Sequence, residues 1–95
     1  MQYLVIVYDY ENALEKRLEV REAHLEDAKN LIKEGKIISA GALIEDNKMV
    51  GSTLYIDFET KDDIEQWLKV EPYVVNKVWD MDKFQLMPVK LLPIN

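Results

Sequence analysis

A chain of 95 residues, 48% of them hydrophobic, predicts one globular domain over residues 1–95 with a core thin enough to gain from association. Its 18 acidic and 12 basic residues give a net charge of −6, which disfavours nucleic acid and anionic membrane surfaces as partners. It has no cysteine, no signal-peptide pattern and no apolar run of the ~20 residues that a membrane helix needs, so we expect a soluble cytoplasmic protein without disulfides.

The first half of the chain predicts a strand, a long helix and a second strand. Residues 3–8 are apolar on both faces, which is typical of a strand buried on both sides. Residues 13–34 follow a helical period, although a bend could occur near residues 19–22, and the apolar stripe comprises Leu14, Leu18, Leu25, Ala28, Leu31 and Ile32. Gly35 fits the left-handed position after a helix, and residues 37–44 form the second strand.

The second half predicts a hairpin, a further helix and a last strand. Residues 46–48 have turn chemistry, and residues 53–58 alternate as a strand. Thr60 resembles an N-cap before a helix that carries Ile64 and Trp67, and Pro72 starts a short turn to about residue 76. Residues 79–87 form the fourth strand, and residues 88–95 are a short apolar tail.

This order of elements predicts helices on one face of a four-stranded sheet. Two helices alternating with four strands in this way pack on the same side and leave the other side bare. Since the first strand is apolar on both sides, the simplest expectation is a homodimer in which two sheets cover each other.

The single histidine, His24, is the first candidate for chemistry. It shares a helix face with Val20, Ala28 and Leu31, so we expect it to point towards the interior. An imidazole exchanges protons near neutral pH and suits acid–base work. The alternative is a structural histidine that bonds a backbone carbonyl or a carboxylate.

Glu71 is the second candidate, because it precedes Pro72 at the start of the predicted turn. Its carboxylate could cap the backbone amides of Tyr73 or Val74. It could instead pair with His24 and orient the imidazole. No nucleophile accompanies the two residues, so such a pair would act on a substrate proton.

Arg17 and Arg21 lie four residues apart on one helix side. They could hold a substrate carboxylate or phenolate in forked geometry. The alternative is a set of surface ion pairs with the acidic residues Glu11, Glu15 and Glu19.

Small residues in the strands are further candidates for a pocket. Gly41 interrupts an apolar strand, which predicts a close approach by a ligand or by the helix. Ser52 could offer a hydroxyl to a pocket, whereas Gly51 before it could simply form a turn. Asp80 and Asp82 share a strand face without further ligands, and there is no phosphate-binding glycine loop, so no metal or cofactor is expected.

The chain resembles the YCII-related (YciI-like) family in an ordered set of motifs: Glu15-Lys16-Arg17-Leu18, Val20-Arg21, Ala23-His24-Leu25, Glu34-Gly35, Ala40-Gly41, Gly51-Ser52 and Glu71-Pro72-Tyr73-Val74. The resemblance covers nearly the whole chain. It implies an α+β, ferredoxin-like βαββαβ fold with an antiparallel four-stranded sheet that dimerises into an α+β barrel.

The resemblance also implies an acid–base pair, formed by a histidine on the first helix and an aspartate before a Pro-Tyr or Pro-Phe dipeptide. These positions correspond to His24 and Glu71, where glutamate replaces aspartate and changes the reach of the carboxylate. One branch of the family eliminates chloride from chlorinated hydroxyquinol-type compounds. The aromatic residues favour a core role, but Tyr73 in this motif also joins the candidate substrate contacts, which are Arg17, Arg21, Gly41, Ser52 and Tyr73.

We therefore expect a small-molecule enzyme of the lyase or isomerase type that uses a His24–Glu71 pair. The alternative is a dimeric module that binds a small metabolite without turnover. A third class, a purely structural interaction domain, predicts no enclosed pocket near His24.

Overall fold

The computed structural model describes residues 1–93; Ile94 and Asn95, the end of the predicted tail, lie outside them. Its elements are β1 (Gln2–Asp9), α1 (Leu14–Lys33), β2 (Ile37–Glu45), β3 (Lys48–Asp57), α2 (Lys61–Val70), α3 (Pro72–Val75) and β4 (Trp79–Pro88). The strands form one antiparallel sheet in the order β2-β3-β1-β4. This arrangement confirms the predicted α+β, ferredoxin-like βαββαβ fold. None of the helices described is long and apolar enough to span a membrane.

The core lies between the sheet and the helices. On β1, Tyr3, Val5 and Val7 are buried, and they face Ile56 and Leu54 of β3 in register. The predicted core aromatics are buried here too, namely Trp67, Tyr73 and Trp79, while Phe84 is partly buried against them. Burial alternates along β1 and β3, so one face of these strands contributes apolar side chains to the core.

The opposite face of the sheet is the less buried one. Leu4 and Ile6 of β1 are only partly buried there, and Tyr8 and Tyr55 are exposed. In a single chain, therefore, β1 is fully buried on one side only. The second sheet that would cover this face stays a prediction.

The helix α1 runs without interruption from Leu14 to Lys33, so the irregular spacing near residues 19–22 does not break it. The predicted stripe is also rotated, because Leu18 and Ile32 are 55% and 50% exposed while Arg17 is buried. A charged side chain takes an inward position that hydrophobic periodicity assigns to a leucine. Arg17 can do so because a buried carboxylate on β1 neutralises it, as described below.

Two turns use left-handed backbone. Gly35 has a φ of 75° and ends α1 in a Schellman motif, in which the Gly35 and Lys36 amides donate to the Ile32 and Leu31 carbonyls at 3.0 and 2.9 Å. Asp46 and Asn47, with φ of 51° and 64°, form the two-residue hairpin turn. This tight turn lets β3 begin at Lys48, earlier than predicted, so Gly51 lies inside a strand and not in a turn.

Candidate functional site

A buried ion pair lies at the base of the site. Arg17 of α1 is only 4% exposed, and its Nη1 donates to both Asp9 carboxylate oxygens at 3.0 and 2.9 Å. Burial raises the pKa of the Asp9 carboxyl, and the adjacent Arg17 opposes this by favouring the carboxylate. The alternative of surface ion pairs is therefore excluded for Arg17, because its carboxylate partner is Asp9 and not Glu11, Glu15 or Glu19.

Ser52 connects this ion pair to the last strand. Its Oγ accepts one hydrogen bond from Arg17 Nη2 at 2.8 Å and another from the indole Nε1 of Trp79 at 3.0 Å. All three side chains are buried. This hydrogen-bond network joins α1, β1, β3 and β4, so elements that are distant in the sequence hold the Ser52 hydroxyl group in place.

His24 and Glu71 meet at the junction of α1 and α3. The distance between His24 Nδ1 and Glu71 Oε1 is 2.6 Å, although 47 positions separate the two residues. The same oxygen accepts the Tyr73 backbone amide at 3.1 Å and so caps α3. Capping and contact with the histidine, stated above as alternatives, therefore occur together. The glutamate side chain reaches the imidazole despite the methylene that distinguishes it from aspartate.

The Tyr73 side chain fixes the plane of the imidazole. Its ring stacks on the His24 ring with centroids 4.0 Å apart and an interplanar angle of 12°, and the Arg17 guanidinium carbon lies 4.7 Å from its centroid. The Trp79 ring meets His24 edge-on at 5.9 Å. Burial raises the pKa of the Tyr73 phenol above its usual range, while Arg17 and Arg21 oppose this. The phenol is therefore neutral at neutral pH.

One cavity of about 220 Å³ gathers most of the predicted residues, between α1 and the β2–β3 hairpin. Six of the seven line it: Arg17, Arg21, His24, Gly41, Ser52 and Tyr73. The seventh, Glu71, is 2% exposed and lies behind His24, whose side chain is 13% exposed. A cavity thus lies next to His24, where the purely structural class predicts no enclosed pocket.

A larger groove of about 910 Å³ lies elsewhere, beside α1 and α2, and it includes Glu71 but none of the other six residues. The groove is the larger of the two, but the smaller cavity contains the side chains that could bind or convert a ligand. We place the candidate site in the smaller cavity, because titratable, cationic and hydroxyl side chains converge there.

For two of the candidate contacts, the structure excludes one of the alternatives that the sequence left open. A Cβ added to Gly41 would meet only Thr53 Cγ2, at 4.0 Å, so the helix does not approach this glycine closely. Arg21 is exposed and forms no ion pair with any side chain of residues 1–93, unlike Arg17. Arg21 is therefore the arginine whose guanidinium is available to a ligand. The role of each residue in the site stays a prediction.

Three site residues escaped the sequence analysis or were given another role. Asp9 gave no signal, because it ends a strand where an acidic residue ordinarily faces water. Trp79 was assigned to the core only, and Met49 lines the cavity because β3 begins before it. Within the described part of the chain, no group of three or more histidine, aspartate and glutamate side chains could hold a metal ion.

The fold and the cavity together define a class: ferredoxin-like α+β proteins with a histidine–carboxylate contact beside a small, partly cationic pocket. The chain belongs to the YCII-related family, because the profile of the YCII-related domain matches residues 1–83.

Three known proteins illustrate the relationship. The protein YciI of Escherichia coli O6:H1 is 33% identical over 87 residues, which are 84% of this chain and 89% of that one. Aspercryptin biosynthesis cluster protein B of Emericella nidulans is 30% identical over 92% of this chain, which spans 61% of that protein's length. The solved structure of 5-chloro-2-hydroxyhydroquinone dehydrochlorinase from Burkholderia phenoliruptrix, in complex with 2,5-dihydroxybenzoquinone, superimposes with a TM-score of 0.82. It covers 95% of this chain and 94% of its own at 22% identity, which supports the shared fold.

Proposed function

We propose that this protein is a small-molecule enzyme of the lyase or isomerase type, in which His24 is the general acid or base and Glu71 orients it. The contact between Nδ1 and the buried Glu71 carboxylate carries the proposal. An ionised carboxylate only accepts hydrogen bonds, so Nδ1 carries the proton. The lone pair of the imidazole is then on Nε2, the nitrogen that the contact with Glu71 leaves free.

The proposed step balances without a cofactor. His24 Nε2 takes a proton from a substrate carbon or hydroxyl, and Glu71 stabilises the imidazolium that forms. In an elimination, the electron pair of the broken C–H bond forms the new double bond, and a leaving group departs with its own pair. In an isomerisation, His24 returns the same proton to another atom of the substrate.

Two comparisons support a small-molecule substrate. The dehydrochlorinase whose fold is shared is a lyase by its name and was solved with an oxygenated six-membered ring compound. The fungal relative is named for a biosynthesis cluster. Arg21 is placed to hold an anionic oxygen of such a substrate, since no ion pair within residues 1–93 occupies its guanidinium.

The test is turnover by the native protein and by His24→Ala on chlorinated hydroquinones and lactones. Loss of a general acid or base is expected to lower kcat about 10²- to 10⁴-fold. Glu26→Ala, an exposed change on the same helix, is the matched control and should leave kcat unchanged. Turnover that survives His24→Ala would exclude His24 as the proton carrier.

The second candidate function is a module that binds a metabolite without converting it. The capping role of Glu71 favours it, because a carboxylate that accepts the Tyr73 amide at 3.1 Å has a structural role that requires no reaction. Ligands that raise the Tm of the native protein without any product would support this second function over the first.

We also propose that two copies associate through the faces of the sheet that carry Leu4, Ile6 and Tyr55. Partly exposed apolar side chains on one sheet face are typical of such an interface. Sedimentation should give a dimer for the native chain and a monomer for Ile6→Lys; a native monomer at micromolar concentration would contradict the proposal. A cytoplasmic location, and the exclusion of nucleic acid and membranes as partners, stay predictions from composition.

A further inference from the structure

We propose that Ser52 is a specificity-determining hydrogen-bond donor of fixed direction, which selects ligands that place a carboxylate, enolate or phenolate oxygen beside it. The inference rests on the proposed function for the location of the ligand in the cavity of about 220 Å³. It deepens that function because it names the chemical class that the cavity accepts.

The first step of the inference concerns the hydrogen bonds that Ser52 Oγ can donate and accept. A serine hydroxyl has one hydrogen to donate and two lone pairs to accept with. Arg17 Nη2 and Trp79 Nε1 both donate to Oγ, at 2.8 and 3.0 Å, and neither a guanidinium nor an indole nitrogen can accept in return. Both lone pairs are therefore occupied, and the hydroxyl group is left with a hydrogen that it can only donate.

That hydrogen has no acceptor within residues 1–93, because the hydrogen bonds of the Ser52 side chain are the two that it accepts. Ser52 is buried beneath the cavity that it lines. A buried donor without a partner costs about 1–3 kcal/mol. An oxygen atom of the cavity's occupant is the acceptor that removes this cost.

The direction of the donor is fixed by its neighbours. Arg17 cannot turn away from Ser52, because its Nη1 is held by both oxygens of the buried Asp9. Trp79 is buried in the core. Gly51 keeps β3 close to β1 at this point, since a Cβ there would collide with the Val7 carbonyl oxygen. A fixed donor discriminates between ligands better than a freely rotating hydroxyl, because it cannot turn to accept a hydrogen bond from a donor of the ligand.

The charges around the cavity identify the ligand oxygen as anionic. Arg17 Nε is buried and has no hydrogen-bond partner among the described residues. Arg21 adds a second guanidinium, and unlike that of Arg17 it forms no ion pair within residues 1–93. The nearby carboxylate of Asp9 already has both oxygens bonded to Arg17. Apart from the base assigned to His24, the cavity therefore offers hydrogen-bond donors and the positive charge of Arg21, since Asp9 balances the charge of Arg17.

The experiment is calorimetric titration of the native protein and of Ser52→Ala with benzoate, 4-hydroxybenzoate and 2,5-dihydroxybenzoquinone, and with uncharged benzyl alcohol. Loss of a hydrogen bond to a charged oxygen should weaken binding of the anions about 10- to 100-fold, with little change for the alcohol. Thr60→Ala removes an exposed hydroxyl at the start of α2, outside the cavity, and should leave every affinity unchanged.

The Trp79→Phe variant tests whether the fixed direction of the Ser52 hydroxyl matters, and not only its presence. It keeps the serine and returns one lone pair to it, so the hydroxyl can rotate, and anion affinity should fall by less than in Ser52→Ala. The inference is overturned if Ser52→Ala binds the anions as tightly as the native protein, or if the native protein prefers none of them to benzyl alcohol.

Because binding is measured without turnover, the two proposals can fail separately. If Ser52→Ala binds the anions weakly and His24→Ala retains activity, the donor role of Ser52 is supported and the acid–base role of His24 is refuted. If Ser52→Ala binds the anions normally and His24→Ala loses activity, the donor role is refuted and the acid–base role is supported.

Discussion

Replacing Glu71 with alanine should destabilise the protein more than the loss of an ordinary helix cap. The change removes the acceptor for the Tyr73 amide, worth about 0.5–2 kcal/mol, and the charged hydrogen bond to His24, worth about 1.5–3 kcal/mol. Because one oxygen makes both contacts, the two losses do not simply add, and we expect about 3 kcal/mol. In a domain of this size that lowers the Tm by about 12–24 °C.

Urea unfolding followed by tryptophan fluorescence measures this free energy, since Trp67 and Trp79 are both buried. Glu71→Gln keeps a side-chain oxygen for the Tyr73 amide but removes the charge, so it should lose only about 1–2 kcal/mol. Thr60→Ala is the control: Thr60 Oγ1 caps α2 by accepting the Asp63 amide at 3.1 Å at an exposed site, and its loss should cost about 1 kcal/mol. If Glu71→Ala costs no more than Thr60→Ala, the contact with His24 contributes nothing to stability and the reasoning is refuted.

Two further predictions concern the strands beneath the cavity. Gly51→Ala should lower the free energy of unfolding by about 1–3 kcal/mol, because the added Cβ would collide with the Val7 carbonyl oxygen. Gly41→Ala should change it by no more than about 0.5 kcal/mol, because the nearest atom to its Cβ is at 4.0 Å. Equal losses for the two variants in urea unfolding would contradict this. Burial raises the pKa of Asp9 above 3.8, so its contribution to stability is present at low pH and is lost as the pH rises through the folded pKa. The unfolding free energy of the native protein relative to Asp9→Asn should therefore fall with rising pH in that range, and a rise would mean that Arg17 outweighs burial.

The order and type of the main elements could be read from the sequence because each has a local signal. The β-branched and aromatic run of residues 3–8, Gly35 after the long helix, Thr60 before the next one and Pro72 after Glu71 are all short-range patterns, and each lies where it was expected. The inward position of His24 follows equally from its spacing to Val20 and Ala28.

What the sequence did not reveal depends on contacts between distant segments. Arg17 and Asp9 neutralise each other across the space between α1 and β1, and hydrophobic periodicity cannot register a charge that is buried with its partner. The early start of β3 depends on the left-handed conformations of Asp46 and Asn47, which residue type alone does not determine. The size of the cavity likewise depends on how α1 lies over β2 and β3.

The two contacts of one Glu71 oxygen have a consequence for evolution within the family. A carboxylate that begins a helix would be retained for folding even in a relative that catalyses no reaction, because its removal costs about 3 kcal/mol, a large part of the stability of a small domain. Selection for stability and selection for chemistry therefore act on the same atom. The presence of an acidic residue before Pro-Tyr then identifies a relative that folds in this way, whereas a residue such as Arg21, which holds nothing in place within residues 1–93, is the better marker of a pocket still in use.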